Sequence, residues 1–237
     1  MTEPDSAAGA LVLAVDTSTT VTVGLARGDT VLAVAGVPDR MAHVEQLIPL
    51  VRRCLREAGV APADLDLIVA GLGPGPYTGL RVGIVTAQVL ASALGIAWRG
   101  VCSLDVLAAQ VVAEHAAAPE QFVVATDARR REVYWARYDA RGVRLGAPLV
   151  GPAGEVPALP TVGPGADLYP DHLQAVLGPR TLDPGVLAVR GPGLPDAGRE
   201  PLYLRRPDAA EPTRRKSVLL PASAAARPAS NRGRRPR

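Results

Sequence analysis

A glycine- and proline-rich loop, GLGPGPYTG at residues 71–79, is the feature that most constrains how this chain can fold. It joins the apolar segment Leu65–Ala70, which has the length of a buried strand, to Thr78–Leu94, which has the length of a helix. Glycines at such a junction allow a tight turn, and the N–H groups at a helix start bind anions. The loop is therefore either a phosphate-binding loop or a rigid turn that directs a closely packed helix.

The loop lacks two features of a Walker phosphate loop. No lysine follows the glycines, and Pro74 and Pro76 remove two N–H donors. These differences favour the rigid turn, with Thr78 as the helix N-cap. The helix Thr78–Leu94 is apolar nearly all round, which predicts burial of more than one side, either inside the protein or against a partner.

A second loop, DTSTT at residues 16–20, follows the buried strand Leu11–Val15. In actin-like ATPases and sugar kinases an Asp-x-Gly-Thr hairpin at this place binds phosphate and metal, whereas here Ser18 stands in the glycine position. The matching loop should follow Phe122–Thr126, where the sequence is DARRR and contains no glycine. Both loops are predicted to have lost their ATP chemistry. The degenerate positions are Asp16, Thr17, Ser18, Thr19 and Asp127.

Apolar periodicity along the chain predicts an α/β fold with mixed sheets and flanking helices. The predicted strands are Leu11–Val15, Val21–Ala26, Val31–Ala35, Leu65–Ala70, Ile96–Val101 and Phe122–Thr126, and the predicted helices are Met41–Ala58, Thr78–Leu94 and Leu104–His115. The second half adds a hairpin around Ala140–Gly142, its second strand at Val143–Leu149, a helix near Asp167–Leu177 and a strand at Leu202–Leu204. We expect a first lobe at residues 10–103, a smaller second lobe at 104–211 and a disordered tail at 212–237.

Charge is distributed unevenly along the chain. No acidic residue follows Glu211, while eight basic residues do, so the rest of the chain has 18 basic and 23 acidic residues and a net charge of −5. A basic tail attracts polyanions or serves only for solubility, and both interpretations stay open. A second basic group, followed by Tyr134 and Trp135, is either an RNA contact or the turn of a hairpin with alternating faces. The candidate nucleic-acid contacts are Arg129, Arg130, Arg131, Arg214, Arg215 and Lys216.

Other signals predict a cytoplasmic protein without a metal site. Cys54 and Cys102 are too few and too distant for a disulfide framework, and the acidic N-terminus is unlike a signal peptide. The apolar run Leu80–Leu94 is shorter than the roughly 20 residues of a membrane span. His43, His115 and His172 are far apart and lack the local spacing of metal ligands.

Four segments together resemble the bacterial TsaB family, also called YeaZ: DTSTT, GPGPYTGLRVGI, DARRREVYWA and LYLRR, in this order between Leu11 and Pro212. The resemblance implies the actin-like ATPase/sugar-kinase (ASKHA) fold with two lobes, the second one reduced. It also implies a non-catalytic scaffold subunit that pairs with a TsaD-type catalytic subunit and recruits the TsaE-type ATPase. Together they transfer a threonylcarbamoyl group to N6 of the adenosine beside the anticodon, in tRNAs that read codons beginning with A. ATP and metal then belong to the partner subunits, with no cofactor in this chain and no membrane contact.

The same resemblance implies that the first two helices, Met41–Ala58 and Thr78–Leu94, form the heterodimer contact. The candidate contact residues are His43, Leu47, Leu50, Val51, Cys54, Tyr77, Thr78, Arg81, Val82, Val85 and Val89. Which face of each helix meets the partner, whether the free protein forms a homodimer and whether nucleotide binds at the subunit boundary stay open. So do two other functions: an actin-like enzyme, either a small-molecule kinase or protease-like, and a tRNA-binding module that uses the arginine-rich tail.

Overall fold

The first of two five-stranded sheets brings the DTSTT loop and the glycine-rich loop 71–79 to one edge. The computed structural model describes residues 9–37, 44–114, 118–176 and 178–205. The strands of this sheet are β1 (Leu11–Asp16), β2 (Thr22–Arg27), β3 (Thr30–Gly36), β4 (Leu67–Gly71) and β5 (Ala97–Val101), in the order β3-β2-β1-β4-β5. β1, β2 and β3 are antiparallel, whereas β4 and β5 run parallel to β1. Because β1 and β4 are parallel neighbours, the loops that follow them emerge side by side.

Helices cover both faces of this first sheet. Helices α1 (Leu47–Ala58) and α2 (Tyr77–Leu94) pack on one face, where Leu13 and Ile68 are fully buried. Helix α3 (Ser103–Glu114) packs on the other face, where Ala14 is buried. A sheet covered on both sides has strands with continuous apolar runs rather than alternating ones, as β1 has from Leu11 to Val15.

The second sheet is smaller and more irregular. Its strands are β6 (Gln121–Arg129), β7 (Glu132–Asp139), β8 (Leu149–Pro152), β9 (Pro160–Val162) and β10 (Gln174–Ala175), in the order β10-β9-β6-β7-β8. The short helix α4 (Pro164–Leu168) packs on β6 and β9. Helix α3 contacts this sheet too, and the Asp105 carboxylate on α3 accepts hydrogen bonds from Tyr138 Oη at 2.8 Å and Arg144 Nη1 at 2.9 Å. Burial of Asp105 raises its pKa, and the positive charge of Arg144 opposes that rise.

The chain returns to the first sheet after β10. Helix α5 (Pro184–Arg190) packs against β1, β2 and β3 on the same face as α3. Asp183 caps it, because its side chain accepts a hydrogen bond from the N–H of Gly185 at 2.6 Å. The segment 182–201, which is rich in glycine and proline, thus contains one helix of seven residues.

The predicted α/β, actin-like fold class is confirmed, but three predicted elements are wrong. The helix near Asp167–Leu177 is absent because α4 ends at Leu168, two residues before the helix-breaking Pro170. The predicted strand Val143–Leu149 begins too early: residues 143–148 make only an isolated bridge, between Tyr138 and Arg144, because Gly146 and Pro148 interrupt them, and the strand β8 begins at Leu149. β7 pairs with β8 on one side and, through the turn at 129–132, with β6 on the other.

The third wrong element is the strand at Leu202–Leu204. The segment forms no strand: Leu202 donates its N–H to the carbonyl oxygen of Leu72 at 2.9 Å without extending the ladder. The predicted boundary between two lobes and the predicted disordered tail stay predictions. The tail, residues 212–237, lies outside the described residues.

Candidate functional site

A buried carboxylate closes the DTSTT loop at residues 16–20. Asp16, at the end of β1, is 1% exposed. Its Oδ1 accepts hydrogen bonds from Ser18 N at 2.8 Å and Ser18 Oγ at 2.6 Å, and its Oδ2 accepts one from Ser103 Oγ at 2.5 Å. Burial raises the pKa of Asp16, while the hydrogen bonds from Ser103 and Ser18 act in the opposite direction. The carboxylate is thus surrounded by donors from its own chain.

Ser103 connects this loop to the glycine-rich one. Its Oγ accepts the N–H of Gly73 at 3.1 Å, and its own N–H donates to the Gly73 carbonyl oxygen at 2.8 Å. Gly73 has φ of +90°, a conformation that disfavours residues with a side chain. One residue at the start of α3 therefore fixes both loops at the same edge of the sheet.

The start of α2 packs directly on the DTSTT loop. Thr17 Oγ1 donates a hydrogen bond to the Gly79 carbonyl oxygen at 2.8 Å. A Cβ atom added to Gly83 would overlap Thr17 Oγ1, and one added to Gly75 would lie 2.6 Å from the Ser18 carbonyl oxygen. The space between the loops is filled by the chain itself, which favours the rigid turn over the phosphate-binding loop. Thr78 is exposed and not the N-cap, since α2 begins at Tyr77 after Pro76.

The second degenerate loop is a tight hairpin turn. Asp127, at the end of β6, accepts the N–H of Arg129 at 2.7 Å through Oδ1. Arg129, Arg130 and Arg131 have φ of 60°, 54° and 64°, and their side chains are exposed. Glu132 closes the turn and forms an ion pair with Arg205. The hairpin interpretation is thus favoured. Its faces do not alternate between buried and exposed as a half-exposed hairpin would, because this sheet packs on both faces and Val133 and Tyr134 are both buried.

The candidate partner contacts on α2 form an exposed stripe. Val85 is 52% exposed and Val89 is 60% exposed, while Val82 is half-buried. Tyr77, Thr78 and Arg81 are also exposed, at the N-terminal end of the same helix. The opposite side of α2, with Leu80, Gly83, Ile84, Ala87 and Ala91, is buried. The stripe Val82, Val85 and Val89 is called the valine stripe below.

The candidate contacts on α1 are placed differently. Leu47, Leu50, Val51 and Cys54 are all buried in the core between α1 and the first sheet. A partner contacts surface, so these four side chains are core residues and lie outside any contact surface of α1. His43 lies outside the described residues. The sequence interpretation chose the apolar stripe of an amphipathic helix, and that stripe faces the chain's own core.

The outward side of α1 is basic, and the sequence interpretation missed it. Ile48, Arg52, Arg53 and Arg56 are exposed, and Arg53 forms an ion pair with Glu57 at 2.7 Å. Ile48, Arg52 and Arg56 recur every four positions, opposite the buried stripe. That spacing could have identified them from the sequence.

Three residues cluster beside the valine stripe. The rings of Tyr77 and Tyr203 stack with centroids 4.7 Å apart. The Arg81 guanidinium lies 4.2 Å from the Tyr77 ring centroid, and Arg81 Nε donates to Tyr203 Oη at 2.9 Å. Nothing in the local sequence indicates this arrangement, because Tyr203 is 122 positions from Arg81.

The described residues form no cluster of metal ligands, and their two thiols are poor nucleophiles. Among them, no three His, Cys, Asp or Glu side chains converge as metal ligands would. Burial raises the pKa of Cys54 to about 11 and that of Cys102 to about 12. Both thiols are therefore protonated near neutral pH, which makes them poor nucleophiles.

Helix α2 is long enough for a membrane span, whereas the sequence interpretation judged its apolar run too short. Its 18 residues, Tyr77–Leu94, are long and apolar enough to cross a membrane by length and composition alone. A core helix passes the same test, and α2 buries Leu80, Ile84 and Ala87 against its own chain. Length and composition therefore carry no conclusion about a membrane.

The buried Asp16 carboxylate predicts a pH dependence of stability. Because the folded-state pKa is raised above the ordinary value of 3.8, Asp16 stabilises the fold at low pH, and this contribution is lost as the pH rises through the folded-state pKa. We expect the wild-type chain to gain unfolding free energy relative to Asp16→Asn as the pH falls from about 8 toward about 4. Urea unfolding at several pH values measures this. Asp29→Asn, at an exposed turn, is the control, and an Asp16→Asn difference independent of pH would contradict the assignment.

Comparison with known proteins identifies the family. The family model of TsaD, tRNA N6-adenosine threonylcarbamoyltransferase, matches residues 37–155, half of the chain. A Mycobacterium tuberculosis protein described as uncharacterized is 43% identical over 209 residues, covering 84% of this chain and 93% of that protein. The Escherichia coli tRNA threonylcarbamoyladenosine biosynthesis protein TsaB is 35% identical over 135 residues, covering 56% of this chain and 57% of the E. coli protein.

A solved structure agrees with these sequence relationships. YeaZ from Pseudomonas aeruginosa matches with a TM-score of 0.63 and 32% sequence identity, covering 77% of this chain and 91% of that chain. A relative this similar over this share of both chains shares its family as well as its fold. The chain belongs to the TsaB (YeaZ) family, within the wider group that the TsaD family model describes.

Proposed function

We propose that this chain is a non-catalytic subunit of the system that makes threonylcarbamoyladenosine in tRNA. It pairs with a TsaD-type catalytic subunit, works with a TsaE-type ATPase and acts in the cytoplasm. The observation that carries this proposal is the contrast between a closed loop pair and an open helix. Asp16 is enclosed by Ser18 and Ser103, while Val85 and Val89 on the adjoining α2 are exposed.

The closed loop pair supports the absence of catalysis. A phosphate loop needs N–H groups that face a vacant pocket, together with room for the phosphate oxygens. Here the N–H group of Ser18 donates to Asp16, and that of Gly73 donates to Ser103. Glycines of the glycine-rich loop 71–79 also pack on the backbone of the DTSTT loop 16–20. Residues that could bind a nucleotide are used to hold the fold together, so chemistry belongs to the partner.

The exposed helix supports pairing. Valines that are half or more exposed on one stripe of a helix are costly in water unless another surface covers them. The TsaD-type partner is itself described by the family model that matches residues 37–155, so it shares the segment containing α1 and α2. Two related chains therefore present comparable helices to each other, as pseudo-symmetric dimers do.

Depletion and rescue in the host cell test the proposed function. We expect depletion of this chain to lower the threonylcarbamoyladenosine content of bulk tRNA, measured by mass spectrometry of nucleosides, and re-expression to restore it. The isolated chain should neither bind ATP and Mg²⁺ tightly nor hydrolyse ATP, as calorimetry and phosphate release would show. Unchanged modification after depletion would refute the proposal, and ATP turnover by the isolated chain would refute its non-catalytic part.

A charge on the valine stripe should block pairing. Val85→Glu places an unpaired carboxylate where the partner excludes water, which costs about 3 kcal/mol, or roughly a hundredfold in affinity. Val143→Glu is the matched control, because Val143 has the same 52% exposure but lies between β7 and β8. Size-exclusion chromatography with the partner and thermal unfolding of each variant measure the outcome. Equal loss of pairing in both variants would count against the stripe.

The hairpin turn favours a second, accessory function, contact with tRNA. Three consecutive arginines with positive φ are unusual, since such turns prefer Asn and Gly and each L-residue there costs roughly 1–2 kcal/mol. Strain of this kind is retained where a side chain is needed. Arg129 and Arg131 are exposed at the tip of the turn, beyond the ion pair of Glu132 and Arg205. The tail candidates Arg214, Arg215 and Lys216 lie outside the described residues.

Salt dependence tests the RNA contact. If Arg129 and Arg131 contact phosphates, the double variant with both changed to Ala should weaken tRNA binding by the assembled complex. The slope of log affinity against log salt should fall by about two, one for each lost phosphate contact. Arg141→Ala is the control, because Arg141 is exposed but paired with Asp139 in a different turn. An unchanged salt slope in the double variant would exclude the contact.

A further inference from the structure

We infer that Arg81 is the anchor of the docking surface and receives a carboxylate from an amphipathic helix of the partner subunit. This inference rests on the proposed function and adds a specificity-determining residue to it. Arg81 lies one turn from Val85 on the outward side of α2, so the anchor continues the valine stripe at its N-terminal end. Through its contact with Tyr203, Arg81 extends the docking surface from α2 to a segment that is distant in the sequence.

The guanidinium of Arg81 is held in place before any partner binds. Its Nε donates to Tyr203 Oη at 2.9 Å, and its plane covers the Tyr77 ring at 4.2 Å from the centroid. Tyr203 in turn stacks on Tyr77, with an interplanar angle of 24°. An exposed arginine normally loses rotamer freedom when it binds, and a side chain already fixed by two aromatic residues loses less.

The fixed guanidinium still has donors to offer. Its Nε is used by Tyr203, whereas its Nη1 and Nη2 groups make no hydrogen bond within the part of the chain that the structure describes. Two such N–H groups side by side match the two oxygens of a carboxylate. Tyrosine and arginine are also the residues most enriched at binding hot spots.

The surroundings of Arg81 fit a helix. An open groove of about 260 Å³ runs beside it, with Arg81, Val85 and Gln88 on the α2 wall and Arg199, Glu200 and Tyr203 on the other. Arg199 is positioned as well, since its guanidinium lies 4.7 Å from the Trp98 ring centroid. Ile84, Val85 and Pro201 give the groove an apolar floor. Of its charged residues, Arg199 is paired with Asp196 and Glu200 is acidic, which leaves the Nη groups of Arg81 as the donors for a carboxylate beside the apolar face of a helix.

The charge of this side of the protein favours such a partner over a second copy of the chain. Helix α1, on the same face of the sheet as α2, exposes Arg52 and Arg56 beside the Arg53–Glu57 pair. In a symmetric homodimer the same surface lies on both sides of the interface, so two surfaces rich in arginine would meet. Like charges brought together at an interface disfavour that complex, whereas carboxylates on a partner favour the other one.

Binding of arginine variants to the TsaD-type subunit of the same organism tests the inference. We expect Arg81→Glu to weaken binding at least about tenfold and Arg81→Lys, which keeps the charge but loses the planar fork, to weaken it less. Tyr203→Phe should also weaken binding, since Arg81 loses its fixed position. Arg190→Glu is the control, because Arg190 is an exposed arginine of α5 on the opposite face of the sheet.

Calorimetry on full-length proteins gives the dissociation constants, and circular dichroism confirms that each variant is folded. A charge reversal in the partner, carboxylate to lysine on its facing helix, should restore binding to Arg81→Glu. If Arg81→Glu and Arg81→Lys both bind the partner as tightly as the unaltered chain does, the inference is overturned and the proposed function stands. If the unaltered chain does not bind the partner at all, both are overturned.

Discussion

The hydrogen bonds of the buried Asp16 carboxylate are the interaction on which the rest of the structure depends. They draw together the end of β1, the loop that follows it and the start of α3, and through Ser103 they also hold Gly73 in the next loop. A buried carboxylate is unfavourable unless several donors satisfy it, so this arrangement tolerates few alternatives. These contacts also set the direction of α2. The absence of side chains at Gly79 and Gly83 lets the start of the helix approach Thr17 closely, and Thr17 donates a hydrogen bond to Gly79.

Under the proposed function, the loops after β1 and β6 serve the fold rather than catalysis. In actin-like enzymes the same two places in the chain hold phosphate and metal, which requires open pockets. Here Ser18 fills the glycine position and donates to Asp16, and the arginine turn after Asp127 replaces a glycine loop. The Asp16 carboxylate and the N–H groups of Ser18 and Gly73 are hydrogen-bonded inside the protein, which stabilises the loops. The exposed surface of α2 is the part of this region that is open to a partner.

The end of the described chain gives that surface its final form. The N–H of Ala197 donates to Gly100 and that of Leu202 to Leu72, so the segment runs along the edge of the first sheet toward the N-terminus of α2. Tyr203 then reaches Arg81, and Arg205 reaches Ala128 and Glu132 at the hairpin turn. A segment without regular structure thereby connects the candidate partner surface to the candidate RNA contact.

The sequence by itself determined the fold class, the order of the first six strands and three long helices, and the family, because apolar periodicity and motif spacing are local. Only the tertiary structure decided which sides of the helices face outward. On α2 the small Gly83 and Ala87 pack against the loop and the sheet, and the branched Val85 and Val89 face solvent, although all are apolar. On α1 the apolar stripe with Leu47 and Cys54 serves the core. Tyr203 meets Arg81 only because the chain returns to the first sheet, and such long-range contacts leave no periodic signal in the sequence.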